Sequence, residues 1–272
     1  MASHRRRNDR EQGRRTGERG PAHAASAGHR KRLEESANEW LWGWHAVVAA
    51  LENPARAPAK RLVATEDRSG NLVTLLGAGV EIDILDGHSI GALLPPGSVH
   101  QGIALRIPLI EPVALEDLAA AGRGFMLMLD QVTDPQNVGA IFRSAAAFGA
   151  AGVIVQDRHA PALAGALAKA AAGAIDKVPH ARETNLSRAL ERLDGLGWRA
   201  VGLDGETTTD LAEALDGRPT VLVMGSEGEG LRRLVREHCD TLARIPMPGG
   251  FESLNVSAAA AVALYEASRP RR

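Results

Sequence analysis

The chain has 272 residues, 44% hydrophobic and 24% charged, which suits one large globular domain or two small ones. Its single cysteine, Cys239, excludes an intramolecular disulfide and a cysteine-built zinc site, and no metal site is predicted. No apolar run approaches the roughly 18 residues of a membrane span, so a soluble, cytoplasmic protein without a membrane partner is expected.

The net charge of −1 is unevenly spread. Residues 1–32 carry ten Lys/Arg and three Asp/Glu, or +7; the rest carries 22 and 30, or −8. Residues 1–38 form a basic arm with almost no large apolar side chain before Leu33. Such a segment buries too little surface to offset its ordering entropy, and is predicted to be disordered. A basic arm on an acidic body suits contact with nucleic-acid phosphates, and equally a solubility tail. Asp9, Glu11 and Glu18 speak against a transit peptide. The lack of an apolar stretch after Arg5-Arg6-Arg7 speaks against a secretory signal.

From Trp40 the pattern predicts order. A helix over 44–51 ends at Asn53-Pro54. A strand over 61–65, a helix over 71–78 and strands over 80–85 and 99–110 follow, giving a small α/β domain over 39–110. Residues 111–124, with Pro112, Gly122 and Gly124, read as a linker. The region 125–272 alternates strand and helix. Strands are predicted over 125–129, 152–156, 176–179, 199–203, 220–224 and 242–245. Helices are predicted over 138–148, 162–172, 186–196, 231–238 and 256–268. Short apolar strands alternating with helices imply a parallel sheet covered on both faces. Ligands then bind beyond the carboxyl ends of the strands, and three segments lie there.

The first runs from Asp130 to Arg143. Asn137 stands where a helix N-cap is expected, and Arg143 leans back toward the helix start. Taken singly, a cap and a surface arginine account for both. The second, Met224-Gly225-Ser226-Glu227-Gly228-Glu229-Gly230, sets three glycines between a strand and a helix. Its spacing is G-x-x-G-x-G, not the G-x-G-x-x-G of a dinucleotide loop. Glu227 and Glu229 would repel a pyrophosphate, so the loop suits a ligand that lacks phosphate or carries positive charge. A tight left-handed turn also needs glycine, but three glycines framing two acids are more than a turn requires, which favours a functional loop. The third runs from Ile245 to Ser257: Pro246 and Pro248 stop a strand, Ser253 or Asn255 can cap a helix, and Ala258–Ala261 permit close approach.

Together these segments resemble the SpoU/TrmH family of the SPOUT (trefoil-knot) RNA methyltransferases. The signatures are Asp134-Pro135-x-Asn137-x-Gly139-Ala140-x-x-Arg143, Gly225-x-Glu227-x-x-Gly230-Leu231, and Ile245-Pro246-Met247 followed by Ser253-Leu254-Asn255-Val256-Ser257. Trp42-Gly43-x-His45-Ala46-Val47 through His100-Gln101-Gly102 resembles the family's small RNA-recognition domain, related to ribosomal proteins. Arg233-x-x-Arg236-Glu237-His238-Cys239-Asp240 adds a likeness to the 23S rRNA guanosine 2′-O-methyltransferases. The resemblance spans residues 40–268 and leaves the arm outside.

The resemblance implies an α/β protein: a C-terminal trefoil-knot domain with a parallel sheet, preceded by the small α/β domain. It implies S-adenosylmethionine held around Met224, Gly225, Gly230, Ile245, Met247, Ser253 and Leu254. Arg143, Asn137, Glu227, Ser253 and Asn255 are the implied catalytic residues. Its implied partners are RNA, as 23S rRNA or a ribosome assembly intermediate, and a second copy bound through the knot domain, with 256–268 as the contact helix. Three other readings stand beside it: a tRNA 2′-O-methyltransferase of the same family, a knotted RNA-binding protein without catalysis, and a nicotinamide oxidoreductase. The glycine spacing and its acids disfavour the last.

Overall fold

A computed structural model describes residues 39–77, 79–250 and 253–269. The basic arm read over 1–38 lies outside them, as does Ala78 at the end of the helix read over 71–78.

The small domain begins with β1 (Trp40–Trp42), α1 (Trp44–Glu52), β2 (Arg61–Ala64) and α2 (Glu66–Leu76). It closes with β3 (Asp83–Ile84), α3 (Gly87–Ala92) and β4 (Ile103–Arg106). Its sheet runs β1-β4-β2-β3, antiparallel except for β2 with β3. Side chains alternate across it. Leu41, Leu62, Leu105 and Ile103 face α1 and the large domain, while Trp40, Trp42, Val63 and Ala104 face Ile90 and Leu94 on the α3 side.

Residues 111–124 carry α4 (Leu115–Ala119), whose Leu115 and Leu118 are buried against the second domain. That domain continues β5 (Phe125–Leu129), α5 (Pro135–Phe148), β6 (Val153–Gln156), α6 (Gly165–Ala171), a 3-10 turn (Ala174–Asp176) and β7 (His180–Glu183). Then come α7 (Leu186–Gly195), β8 (Arg199–Leu203), α8 (Leu211–Ala214), β9 (Thr220–Met224), α9 (Arg233–Glu237), β10 (Thr241–Ala243) and α10 (Val256–Ser268). All neighbours in its sheet are parallel, in the order β10-β8-β9-β5-β6-β7.

Both faces are covered. Leu127, Leu129, Val153, Val201 and Leu222 pack under α5, α6, α8 and α10; Met126, Met128, Ile154, Val221 and Val223 pack under α4, α7 and α9. The strand order reverses between β5 and β9, which is where an open parallel sheet leaves a crevice. After the edge strand β10 the chain returns to that crevice, and α10 packs on α5. Gly139 allows α5 and α6 to pack closely, since a Cβ there would lie 2.6 Å from that of Ala170.

The structure differs from the sequence reading in places. The strand expected over 176–179 is the 3-10 turn and its exit; β7 starts at His180. The turn presents Asp176 to Arg56, with side chains 1% and 2% exposed and Nε to Oδ1 at 2.7 Å. Asn53 Nδ2 donates to the same carboxylate at 3.1 Å, and Arg56 also donates to Pro108 O at 3.0 Å. The bonds to Asp176 dock the small domain on the large one. Among the described residues no helix is long and apolar enough to cross a membrane.

Candidate active site at the carboxyl ends of the strands

The first segment leaves β5 through Asp130, whose side chain is fully buried. It accepts from the Arg232 backbone N–H at 2.9 Å and from Arg232 Nε at 2.7 Å. This clamp ties the end of β5 to the chain just beyond the glycine loop. Sequence reasoning gave Asp130 and Arg232 no role, although an acid directly after five apolar strand residues was the available signal.

The cap of α5 is Asp134, not Asn137. Asp134 accepts the Asn137 N–H at 2.9 Å, and Pro135 takes the first helical position, where its missing N–H costs nothing. Asn137 is therefore inside the first turn and its amide is free for other work. With the helix starting at Pro135, Arg143 falls in its third turn. It is exposed and has no hydrogen bond or ion pair among the described residues.

The second segment folds back on itself: Ser226 N–H donates to Gly230 O at 3.2 Å, and Gly230 N–H to Ser226 O at 3.1 Å. A Cβ on Gly225 would overlap the backbone of Gly230 and Leu231, while Gly228 and Gly230 hold φ of 90° and 67°. The loop thereby lifts Glu227 out of the crevice floor. Met224 stays buried at the end of β9, and its carbonyl accepts from the Asp130 N–H at 2.8 Å.

The third segment brings Asn255 back to the crevice as the cap of α10. Its Oδ1 accepts from the N–H groups of Ser257 at 2.9 Å and Ala258 at 3.3 Å. Its Nδ2 donates to Glu227 Oε1 at 2.8 Å and Asn137 Oδ1 at 3.0 Å. Asn137 Nδ2 donates to the same Glu227 oxygen at 3.1 Å, and the Val256 N–H does so at 3.2 Å. One residue from each segment thus meets the other two. Glu227 Oε2 has no partner among the described residues. Ser253 and Leu254 lie exposed beside this cluster, without a bond into it, and Ile245 and Met247 are half-buried after β10.

A cofactor without phosphate fits these segments. The N–H groups of Ile245, Met247 and Leu254 have no acceptor among the described residues, so they are available as donors. From Met224 to Gly230 there is no cation and there are two carboxylates, a charge set that suits a positively charged ligand. Cys239 is not a candidate nucleophile: burial, with Asp240 and Asp130 nearby, pushes its thiol up to about 12.

Comparisons with known proteins show the family and the fold. The sequence profile of the SpoU rRNA Methylase family matches residues 124–265, and that of the RNA 2′-O ribose methyltransferase substrate binding domain matches residues 40–113. The 23S rRNA (guanosine-2′-O-)-methyltransferase RlmB of Xylella fastidiosa is 43% identical over 249 residues, covering 86% of this chain and 97% of its own. An uncharacterized tRNA/rRNA methyltransferase of Mycobacterium avium is 38% identical across 84% of this chain and 85% of its own. Among solved structures, the SpoU methyltransferase AviRb from Streptomyces viridochromogenes shares the fold, with a TM-score of 0.72 at 24% identity over 89% of this chain and 92% of that one. The AdoMet-bound rRNA methyltransferase from Sinorhizobium meliloti gives a TM-score of 0.69 at 26% identity over 88% and 89%.

Proposed function

Because the chain belongs to the SpoU rRNA methylase family, we propose that it transfers a methyl group from S-adenosylmethionine to a ribose 2′-oxygen of RNA, with a guanosine of 23S rRNA as its target. The observation that carries the reading is the meeting of Asn137, Glu227 and Asn255, one from each signature, at the crevice where the sheet order reverses. The likeness to RlmB over nearly its whole length supports the rRNA substrate.

S-adenosylmethionine, when bound, supplies a methyl group on a sulfonium. Backbone N–H groups of Ile245, Met247 and Leu254 would hold it, with Met224, Gly225 and Gly230 shaping the floor and Ser253 at the rim. The chain's remaining task is alignment, because holding the nucleophile in line removes much of the barrier. Arg143 binds the target's phosphate and stabilises negative charge growing on the 2′-oxygen. It does not take the proton, since a guanidinium stays protonated in proteins. Asn137 and Asn255, tied through Glu227 Oε1, fix the ribose, and Glu227 Oε2 is open to a ribose hydroxyl.

The rest of the molecule is divided accordingly. Residues 39–110 bind RNA, 111–124 join the domains, 125–272 carry the reaction, and the arm 1–38 adds phosphate contacts. The return of the chain to α10 forms a trefoil knot. Val262 and Tyr265 on α10, 41% and 54% exposed, are the contact for a second copy. The enzyme works in the cytoplasm, on 23S rRNA or a ribosome assembly intermediate.

The test is methyl transfer from labelled S-adenosylmethionine to unmodified 23S rRNA and, separately, bulk tRNA, with the label located by nuclease mapping. Label on a ribose of 23S rRNA is expected. Label on tRNA alone would overturn the substrate and keep the chemistry. Cofactor binding without label on either RNA would overturn catalysis.

A further inference from the structure

A cleft of about 590 Å3 opens where the small domain meets the start of α5. Trp42, Pro96 and Val99 wall it on one side, and Gln136 and Pro161 on the other, with Lys169 of α6 between. Three features bear on what it could hold.

Its charge is the first. Among its fifteen lining residues none is an acid and Lys169 is the one cation, in a body that carries −8 over residues 33–272. The second is the way Lys169 is held. Its Nζ donates to Val99 O at 2.5 Å across the domain boundary, and it fits because Gly43 has no side chain: a Cβ there would sit 2.9 Å from both Cδ and Nζ. An ammonium has three donors, so two remain. Burial holds the amine below the usual lysine range, a cost that a bound anion would offset. The third is continuity. Pro135 and Gln136 line the cleft and sit in sequence between Asp134, which caps α5, and Asn137 of the reaction cluster.

We propose that this cleft seats an unpaired nucleotide next to the methylated one, its phosphate on Lys169 and its base against Pro96 and Val99. The inference rests on the RNA reading above. The volume is that of a small-molecule pocket, far too small for a duplex, whereas splayed single-stranded bases pack readily on apolar walls. Val99 is 67% exposed, an apolar surface without a protein partner to cover it. The target must therefore lie in an unpaired segment, with its neighbour free to leave the stack.

Ala166→Trp tests this, because Ala166 is exposed on α6 and lines the cleft. With a 23S rRNA transcript that the wild-type protein methylates, the variant should raise KM and the RNA Kd about tenfold, the size of one lost base contact. The cofactor Kd and Tm should not change. Lys169→Gln should lower the salt slope of RNA binding by about 0.7, one phosphate on a single strand. Annealing an oligonucleotide across the target's neighbours should abolish methylation. Wild-type RNA affinity and salt slope in both variants would overturn the cleft's role and leave the enzyme's function standing. A wild-type protein that methylates no RNA would overturn the function itself, and this inference with it.

Discussion

At the joint between the domains, Arg56 and Asp176 meet out of reach of water; at the crevice, Asn137, Glu227 and Asn255 meet in the open. Arg56 and Asp176 spend their side-chain polar atoms on other parts of the protein. Asn53 and the Pro108 carbonyl complete it, and Gly173 lets α1 approach so closely that a Cβ would lie 2.7 Å from that of Ala49. The crevice cluster instead leaves Glu227 Oε2 without a partner among the described residues, and Arg143, elsewhere on α5, is likewise exposed and unbonded among them. A buried ion pair fixes geometry and is costly to break; an exposed cluster adds little stability and here leaves a carboxylate oxygen to accept from a substrate.

Breaking the joint should give the largest effect. Arg56→Met strands the Asp176 carboxylate in the interior and should destabilise the protein by about 3–5 kcal/mol, read by urea unfolding. Replacing both partners, as Arg56→Met with Asp176→Leu, should recover much of that loss. A single variant within 1 kcal/mol of wild type would show that the joint is not a lock.

The same joint carries a pH dependence. Burial, helped by Arg182 and Arg56, pushes the His180 imidazole down to about 4. The unfolded chain therefore takes up the proton first. Stability is complete above about pH 6.5 and falls as the pH drops toward 4, by up to about 3 kcal/mol. His180→Leu should flatten that part of the curve. An unchanged acid slope would place its origin elsewhere.

The crevice should show the opposite balance. Asn255→Ala removes a helix cap and should cost only about 1 kcal/mol of stability, while methyl transfer falls about 100-fold. Equal and modest losses in both would make Asn255 a cap and nothing more. The smallest effect belongs to the arm. Deleting residues 1–38 should weaken RNA binding and reduce its salt dependence without changing cofactor affinity. An unchanged salt slope would leave the arm without a part in RNA binding.

The contrast also explains what was legible in the sequence. The strands over 125–129, 199–203 and 220–224 and the helix over 256–268 stand as read, because apolar runs and their glycine or asparagine boundaries are local signals. The three signatures were visible as words in the chain. Their meeting point was not, since Asn137, Glu227 and Asn255 are brought together by the return of the chain after β10. Nor was the joint visible: Ile175-Asp176-Lys177-Val178 alternates like a strand, but Asp176 closes a turn on the Gly173 carbonyl and meets Arg56, 120 residues away. Asparagine is a good cap, which points to Asn137; Asp134 takes the position instead, with Pro135 in place to start the helix. Helix α4 was hidden by the prolines and glycines around it.

The central claim is that the exposed signature residues serve the reaction and not the fold, and Arg143 tests it most directly. Single-turnover methyl transfer and urea unfolding should be measured on the same preparations of wild type, Arg143→Ala and Arg143→Lys. The account predicts unfolding free energies within about 0.5 kcal/mol of one another, since the side chain is exposed and bonded to nothing described. It predicts a fall in methyl transfer of about 100-fold or more for alanine, and a large fall for lysine, which cannot grip a phosphate with two parallel bonds. Near-normal transfer in the lysine variant would end the two-bond phosphate role, and near-normal transfer in the alanine variant would contradict the claim.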